Sequence, residues 1–319
     1  MKARSTSPAP AQSGTAPAAQ GAAQSTAQPT AQAGPGPSQA TAARKALLIE
    51  ALSYIGRFKG KILVIKYGGA AQEHAPVKVS FAHDVVLLQS LGMLPVIVHG
   101  GGPEVSRAMK AMGQEAVFVD GLRVTTAEGL SVTEMVLSGH INKEIVALLQ
   151  AQGGRAVGIS GKDGPTVLAH KLQHPKGDLG FVGEIEEVQP RLVELLLQQG
   201  FIPVVSPIGI GRDGTTYNIN ADSTASHIAG ALKAEKMIFM TDVDGVLKDG
   251  QLVPALTAAE ALELIDRGVI SGGMVPKVEA MLHCLGNGVG SATIINGGEH
   301  HAIIAELFTD KGVGTQIRA

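Results

Sequence analysis

Short apolar runs alternate with helical patterns along most of this sequence. The runs are rich in Val, Ile and Leu, and they predict strands at 61–66, 94–98, 117–119, 156–159, 202–205, 236–241 and 292–295. Helical patterns lie at 76–91, 103–112, 127–152, 190–199, 221–232, 257–267, 274–286 and 301–308. Continuous apolar strands separated by helices indicate a mostly parallel sheet with helices on both faces. The sequence therefore predicts an α/β fold, a three-layer αβα sandwich, with a hairpin insertion at about 165–188.

Two of the predicted strands run directly into glycine-rich turns. The first turn reads Lys66-Tyr67-Gly68-Gly69, and the second reads His99-Gly100-Gly101-Gly102. Because glycine has no Cβ, backbone N–H groups in such turns can face a ligand at close range. A helix that follows adds the positive end of its dipole, and Lys66 adds a mobile charge. Together the two turns predict an anion-binding site suited to phosphoryl transfer.

Other polar residues are expected at the same edge, because ligands of such sheets collect beyond the carboxyl ends of the strands. Lys277 follows the glycine pair Gly272-Gly273, Asn218 and Asp222 flank a helix start, and Arg123 stands alone at a turn. A solvated lysine, a helix cap or a surface ion pair would explain each of them singly. An arginine fork also suits a substrate carboxylate. Convergence of several such loops favours a site over these alternatives.

Composition and missing motifs exclude several classes of protein. No run of about 18 apolar residues indicates a membrane span, and a net charge of −2 without a basic face argues against nucleic-acid binding. Val105 interrupts a dinucleotide fingerprint after the glycines, and no P-loop pattern occurs. Cys284 is the only cysteine and lies in a helical pattern, so we expect a packed thiol. The histidines show no metal-ligand spacing, since His300-His301 opens a helix and the two side chains should diverge; no metal site is predicted.

The N-terminal region differs from the rest of the chain. Residues 1–43 consist almost entirely of Ala, Gln, Pro, Ser, Thr and Gly, which predicts a disordered tail. A passive tail of a cytoplasmic protein fits better than a plastid transit peptide, which should carry more arginine. Residues 44–58 predict a helix whose apolar stripe packs either on its own domain or on another subunit.

Six motifs occur in a characteristic order. They are Lys66-Tyr67-Gly68-Gly69-Ala70, His99-Gly100-Gly101-Gly102-Pro103, Gly121-Leu122-Arg123-Val124-Thr125, Asn218-Ile219-Asn220-Ala221-Asp222, Thr241-Asp242-Val243-Asp244-Gly245 and Gly272-Gly273-Met274-Val275-Pro276-Lys277. The order resembles that of the acetylglutamate kinases, a group within the amino acid kinase family. Each motif alone is weakly specific, whereas the ordered set is highly specific, and the resemblance covers residues 44–319.

The resemblance implies a reaction and a set of residue roles. The reaction would be ATP-dependent phosphorylation of the γ-carboxylate of N-acetyl-L-glutamate, the second step of arginine biosynthesis, with Mg²⁺ carried by the nucleotide. An N-lobe at 59–206 would hold the amino acid and a C-lobe at 207–319 the ATP. Lys66 and Lys277 would stabilise the transition state, and Asp222 would orient both lysines. Substrate-binding residues would be Gly101, Gly102, Arg123 and Asn218; nucleotide-binding residues would be Gly68, Gly69, Asp242, Gly245, Leu247, Val269 and Ser271.

The resemblance also implies regulation by arginine. Members inhibited by arginine carry an extra N-terminal helix like the one predicted here, and such members form ring-shaped hexamers built from dimers. Tyr54, Glu306 and Gly312 match the effector pattern, but Thr293 stands where many inhibited members have histidine. The expected partners are therefore N-acetyl-L-glutamate, ATP, L-arginine and further copies of the chain in a homohexamer or homodimer. The sequence leaves open whether a PII-type signalling protein binds.

Two alternatives stay open at this point. The chain could be a related kinase acting on a carrier-linked aminoadipate, aspartate or carbamate, although the motifs at 121–123 and 218–222 favour acetylglutamate. It could also be a catalytically idle regulatory protein on the same fold. Retention of Lys66, Lys277 and Asp222 counts against the second alternative.

Overall fold

The computed structural model describes residues 37–72, 74–309 and 312–319. Its helices are α1 Pro37–Phe58, α2 Ala75–Ser90, α3 Gly102–Ala111, α4 Ala127–Glu134, α5 Asn142–Ala151, α6 Arg191–Gln198, α7 Ala221–Ala231, α8 Ala258–Asp266, α9 Val275–Gly286 and α10 Ala302–Leu307. Its strands are β1 Ile62–Tyr67, β2 Leu94–His99, β3 Phe118–Val119, β4 Leu122–Arg123, β5 Ala156–Ser160, β6 Val167–Lys171, β7 Gly183–Val188, β8 Ile202–Ser206, β9 Ile208–Ile210, β10 Thr216–Asn218, β11 Lys236–Thr241, β12 Leu247–Lys248, β13 Gln251–Leu252, β14 Ala255–Thr257, β15 Ser291–Asn296 and β16 Thr315–Arg318.

An eight-stranded sheet forms the centre of the fold, in the order β14-β16-β15-β11-β1-β2-β8-β5. Each pair of neighbouring strands in this sheet is parallel, apart from the pair of β15 with β16, which is antiparallel. The pairing of β1 with β2 runs from Ile62 opposite Leu94 to Tyr67 opposite His99. The two glycine-rich turns therefore leave the sheet side by side, and the predicted mostly parallel sheet is confirmed.

Apolar cores lie on both faces of the central sheet. Along β1, Leu63 and Ile65 belong to one core while Val64 belongs to the other, as the alternation of side chains in a strand requires. Leu88 of α2 packs in the first core and Ile228 of α7 in the second. Helices thus cover both faces, which confirms the αβα arrangement. Cys284 is buried in the second core, as predicted, and burial raises the pKa of its thiol to about 12.

A smaller sheet accounts for the predicted insertion. Strands β6 and β7 pair antiparallel, which confirms the hairpin. Strands β9 and β10, which the sequence did not predict, extend it to four strands in the order β10-β9-β6-β7. The end of β10 brings Asn218 next to the start of α7.

The predicted lobes correspond to two halves of one sheet. Residues 46–319 form a single compact unit, with β5, β8, β2 and β1 in one half and β11, β15, β16 and β14 in the other. Helix α7 follows residue 207, yet it contacts β1 and β2 as well as β11 and α9. A residue on α7 can therefore reach groups from both halves. The assignment of one ligand to each lobe stays a prediction.

The N-terminal helix is longer than predicted. Helix α1 begins at Pro37, so residues 37–43 of the predicted tail belong to this helix. Alanine is the strongest helix former, and this segment contains three alanines, which explains why a helix can extend through a stretch of low complexity. The remainder of the predicted tail, residues 1–36, lies outside the described residues. Among the helices that the structure describes, none has the length and apolar character needed to cross a bilayer.

Candidate active site

A carboxylate between two lysines lies at the junction of the two halves of the sheet. Asp222 Oδ1 is 3.0 Å from Lys66 Nζ, and Lys277 Nζ donates a hydrogen bond of 3.1 Å to Asp222 Oδ2. Lys66 comes from β1 and Lys277 from α9, so the groups belong to elements 211 residues apart in the sequence. The side chain of Asp222 is only 13% exposed. The structure therefore brings together the three residues that the resemblance placed at the reaction centre.

The electrostatics of this cluster favour the ionised form of Asp222. Burial alone would raise the pKa of Asp222, but the two ammonium groups outweigh it and hold the pKa below its usual value. Asn220 caps α7 by accepting hydrogen bonds from the N–H groups of Asp222 and Ser223, so Asp222 itself is not needed as the cap. The helix-cap explanation considered for this motif thus applies to Asn220 and leaves Asp222 free to pair with the lysines.

Gly68 makes room for the lysine of the first turn. A Cβ at Gly68 would lie 2.8 Å from Lys66 Nζ, closer than such contacts allow. Gly69 has a φ of +62° and lies against the end of β11, where a Cβ would be 3.5 Å from the backbone nitrogen of Asp242. The first turn therefore contacts the loop that the resemblance assigned to the nucleotide.

A cavity of about 190 Å³ opens beside the second glycine-rich turn. All four predicted substrate-binding residues line it, namely Gly101, Gly102, Arg123 and Asn218. A Cβ at Gly101 would collide with the Ile141 side chain, so this turn fits against its support only with glycine. Asn218 donates a hydrogen bond of 3.1 Å to Thr125 Oγ1. The cavity combines mainly apolar walls with a few polar groups, as sites for small organic molecules usually do.

Arg123 is buried at the wall of this cavity, with 7% of its surface exposed. Its Nη2 donates hydrogen bonds of 2.8 Å to Gly102 O and to Ser106 Oγ, and its guanidinium lies over the Phe118 ring. These contacts fix the guanidinium and use its Nη2 donors. A guanidinium has five N–H donors, so three remain on Nε and Nη1, which lie on different edges of the group, and Nη1 also contacts the Met109 sulfur at 3.5 Å.

A buried network supports the second turn from beneath. His99 Nδ1 lies 2.9 Å from Gly100 O, and its Nε2 lies 3.2 Å from Asn142 Nδ2. Asn142 Nδ2 also donates to Val204 O at 2.9 Å. The carbonyl acceptor at one end places a proton on Nδ1, and the amide donor at the other end leaves Nε2 to accept. Burial lowers the pKa of His99 to about 4. The imidazole is therefore neutral and structural.

Sequence reasoning missed Asn142, which is fully buried at the start of α5. It follows the π-helical turn Met135–Ile141, and such turns often occur at functional sites. The only sequence signal was a polar residue inside a helical pattern, which is common on exposed helix faces.

The predicted nucleotide-binding residues lie at the carboxyl edge of the second half of the sheet. Asp242 directly follows β11, and the Thr241 hydroxyl, which donates to it at 2.9 Å, holds the pKa of Asp242 below its usual value. Gly245 and Leu247 follow on the same loop, and Leu247 is exposed. Val269 and Ser271 precede α9, the helix that carries Lys277. Their role in nucleotide binding stays a prediction.

A second cavity, of about 350 Å³, lies at the amino end of β11. The predicted effector residues Tyr54, Glu306 and Gly312 all line it, together with Lys236. Lys236 Nζ and Glu306 Oε1 form a buried ion pair of 2.7 Å. Sequence reasoning missed Lys236, because a lysine at the start of a strand is usually a solvated charge.

The fold brings two histidines and a carboxylate together, although their spacing in the sequence indicates no metal site. His301 does diverge from its neighbour in the sequence, but its ring converges with His83 and Asp84 of α2, and the ligand atoms of the three residues lie within 4.8 Å of one another. Spacing in the sequence could not show this cluster, because Asp84 and His301 are 217 residues apart.

Comparison with known proteins identifies the family. A sequence profile of the amino acid kinase family matches residues 61–296. Acetylglutamate kinase from Geobacter metallireducens is 50% identical over 85% of this chain and 96% of its own length, and the enzyme of that name from Methanocaldococcus jannaschii is 51% identical over 85% and 95%.

Solved structures agree with this result. N-acetylglutamate synthase from Neisseria gonorrhoeae, complexed with coenzyme A and N-acetyl-glutamate, has a TM-score of 0.78 and 27% identity; the match covers 86% of this chain but only 63% of the synthase chain. The smu.665 protein from Streptococcus mutans has a TM-score of 0.68 and 31% identity, over 81% of this chain and 98% of that one. The present chain belongs to the amino acid kinase family and, within it, to the acetylglutamate kinases.

Proposed function

We propose that this chain transfers the γ-phosphoryl group of ATP to the γ-carboxylate of N-acetyl-L-glutamate, giving N-acetyl-L-glutamyl 5-phosphate and ADP. The observation that carries the proposal is the buried Lys66–Asp222–Lys277 bridge at the edge of the sheet where the Arg123 cavity opens. The names of the relatives at about 50% identity support the same reaction. The product would enter arginine biosynthesis.

The chemistry requires charge neutralisation more than acid–base catalysis. A side-chain carboxylate has a pKa near 4.3 and is ionised at pH 7, so the attacking oxygen carries no proton that a base must remove. That oxygen forms a bond to the γ-phosphorus while the bond to the bridging oxygen of ADP breaks. Lys66 and Lys277 would stabilise the negative charge on the transferred group, and Asp222 would hold both ammonium groups in place.

Recognition of the acceptor would use the cavity beside the second turn. The Arg123 guanidinium would bind the α-carboxylate of the substrate through an N–H other than those on Nη2. Backbone N–H groups of Gly101 and Gly102 and the side chain of Asn218 would complete the site. Phe118 and Met109 already hold the guanidinium in position, so binding would cost little side-chain entropy.

The donor would be the Mg²⁺ complex of ATP, bound at the loops that follow β11 and precede α9. Asp222, the carboxylate at the centre of the site, is already paired with two ammonium groups. Mg²⁺ is commonly held by substrate phosphates and water. We therefore expect the metal to arrive with the nucleotide.

ADP production by the purified chain tests the proposed reaction. With Mg²⁺ and ATP present, N-acetyl-L-glutamate should support turnover, while L-glutamate, L-aspartate, carbamate and a carrier-linked aminoadipate should not. Turnover with one of the last three alone would indicate a related kinase. If no ADP is produced with any of these acceptors, the chain would be a regulatory protein on this fold.

We further propose that L-arginine binds in the cavity at the amino end of β11. Glu306 would pair with the guanidinium of the ligand and Lys236 with its carboxylate, so these two groups would each meet an opposite charge. Gly312 is required there, since a Cβ would collide with the Glu306 carboxylate. Activity measured against rising L-arginine should fall, and a flat response up to millimolar concentration would reject this part of the proposal.

Self-association through α1 is the third part of the proposal. Ile49 and Leu52 of this helix are 68% and 63% exposed and, three positions apart, lie on one face of it. An outward apolar face favours packing on a second copy, in a homodimer or homohexamer. Light scattering coupled to size exclusion should give a smaller mass for the double variant Ile49→Ser/Leu52→Ser than for the unmodified chain, and equal masses would contradict the interface.

A further inference from the structure

Two imidazoles and a carboxylate converge where α2 meets the start of α10. His301 Nδ1 lies 2.6 Å from Asp84 Oδ1, and His83 Nδ1 lies 3.9 Å from the same oxygen. The rings of His83 and His301 meet edge to face, with centroids 5.4 Å apart. This cluster takes no part in the proposed reaction or in the effector cavity.

The exposure of the three side chains suits a bound ion. The Asp84 side chain is 1% exposed, whereas those of His83 and His301 are about half exposed, at 55% and 54%. A buried carboxylate below two accessible imidazoles forms a shallow site that an ion can enter from solvent. Water would then fill the outward coordination position.

The distances fit a tetrahedral transition-metal ion. Zn–N and Zn–O bonds of about 2.0–2.2 Å place neighbouring tetrahedral ligand atoms about 3.4 Å apart. The observed separations of 2.6 and 3.9 Å lie on either side of that value. Small rotations of the two histidine side chains would therefore equalise them, without movement of the helices.

A purely structural role accounts for only part of the cluster. His301 adopts a left-handed backbone conformation with a φ of +54° at the start of α10, and its N–H donates to Ser80 Oγ at 2.8 Å. Its ring bonds to Asp84, so these two residues serve to join α10 to α2. This role does not need His83. Adjacent residues on a helix do not normally face one another, yet His83 turns its Nδ1 toward the carboxylate of Asp84.

We propose that His83, Asp84 and His301 form a binding site for a divalent transition-metal ion of the Zn²⁺ type. Two imidazoles and one carboxylate are a donor set that Zn²⁺ accepts and that Mg²⁺, which prefers oxygen ligands, does not. The ion would take the place of the hydrogen that lies between His301 Nδ1 and Asp84 Oδ1. It would cross-link α2 to α10, the helix that carries Glu306.

Zn²⁺ titration of the full chain, purified without a histidine tag and with excess Mg²⁺ present, tests the site. Isothermal calorimetry should show one saturable site per chain, and Zn²⁺ should raise the midpoint of thermal unfolding. His83→Gln should weaken binding by about tenfold or more while the Asp84–His301 pair remains to hold the fold. X-ray absorption of the zinc-loaded chain should show nitrogen and oxygen ligands at about 2.0–2.2 Å with imidazole scattering.

The matched control is His140→Gln, which removes an exposed histidine outside the cluster and should leave Zn²⁺ affinity unchanged. Two results would overturn the proposal. One is the absence of saturable Zn²⁺ binding in the unmodified chain. The other is equal affinity in His83→Gln and in the unmodified chain, which would assign the binding to other histidines.

Discussion

Lys277 and Lys66 both contact the Asp222 carboxylate, but the side chain of Lys277 is the less buried of the two. The Lys277 side chain is 22% exposed and that of Lys66 11%, and a Cβ at Gly68 would touch only Lys66. Loss of Lys277 should therefore disturb the fold less. We expect Lys277→Ala to lower kcat by about 10²–10³, the usual cost of removing one group that stabilises transition-state charge.

Steady-state kinetics with N-acetyl-L-glutamate and ATP provide the measurement for this variant. Lys110→Ala, which removes an exposed lysine from the end of α3, is the matched control and should keep normal kcat. A folded Lys277→Ala enzyme with nearly normal kcat would remove Lys277 from the reaction centre.

His99 should make stability depend on pH in a defined window. Its pKa is about 4 in the folded chain because of burial, against about 6.5 when unfolded. Between these values the unfolded state binds more protons, so the free energy of unfolding falls as the pH falls. From pH 7 to pH 5 the loss due to His99 should be roughly 2 kcal/mol.

Urea unfolding at pH 5, 6 and 7 measures this contribution. The His99→Gln variant should lose less stability over the window than the unmodified chain, whatever its stability at pH 7. His170→Gln, which removes an exposed histidine of β6, should keep the full dependence. Identical pH slopes in the His99 variant and the unmodified chain would show that His99 has the same pKa in the folded and unfolded states, contrary to the prediction.

At the scale of elements, the π-helical turn before α5 supports the substrate cavity. Its last residue, Ile141, occupies the space that a Cβ at Gly101 would need. Gly101→Ala must therefore shift either the turn or Ile141, and the N–H groups of the turn should lose their alignment. We expect KM for N-acetyl-L-glutamate to rise about tenfold or more, equivalent to about 1.4 kcal/mol of binding, with a smaller change in KM for ATP.

The matched control for this variant is Gly139→Ala, because a Cβ there meets no atom within 4 Å. Initial-rate kinetics with each substrate varied in turn separate the two effects. Equal changes in KM for both substrates would indicate general loss of structure rather than damage to the acceptor site.

Elements with continuous apolar runs could be predicted from the sequence, because burial on both faces leaves a strong signal. β11 was placed at its observed bounds for this reason. β16, with the sequence Thr315-Gln316-Ile317-Arg318, is short and half polar, and it pairs with β14 and β15, which are distant in the sequence. The same limit applies to the site. Glycines marked the turns, whereas Asn142 and Lys236 became significant only through partners that are distant in the sequence.

At the scale of the whole molecule, β11 runs from the proposed effector cavity to the first glycine-rich turn. Lys236 at its first residue lines the proposed effector cavity. Thr241 at its last residue lies against Gly69 of the first turn. Six residues of strand span roughly 17 Å, so one rigid element runs from the effector cavity to the turn that follows Lys66. β11 also pairs with β1 at Lys66. We therefore expect a displacement at one end of β11 to move the residues at its other end.

Coupling through this strand makes a reciprocal prediction. If L-arginine weakens binding of N-acetyl-L-glutamate by some factor, then N-acetyl-L-glutamate must weaken binding of L-arginine by the same factor. Couplings of this kind are typically about 5–150-fold. Kd values for each ligand can be measured by calorimetry with and without a saturating concentration of the other. The factor by which each Kd changes should be the same for both ligands.

The control variant for this measurement must remove the charged groups of the effector cavity without leaving a buried charge unpaired. Replacing Glu306 alone would strand Lys236, which is 4% exposed and destabilising when unpartnered. The double variant Lys236→Met/Glu306→Gln removes both charges of the pair, and it should lose arginine binding while keeping the Kd for N-acetyl-L-glutamate. If L-arginine binds the unmodified chain but neither Kd changes, the cavity is not coupled to the active site, and β11 transmits nothing between them.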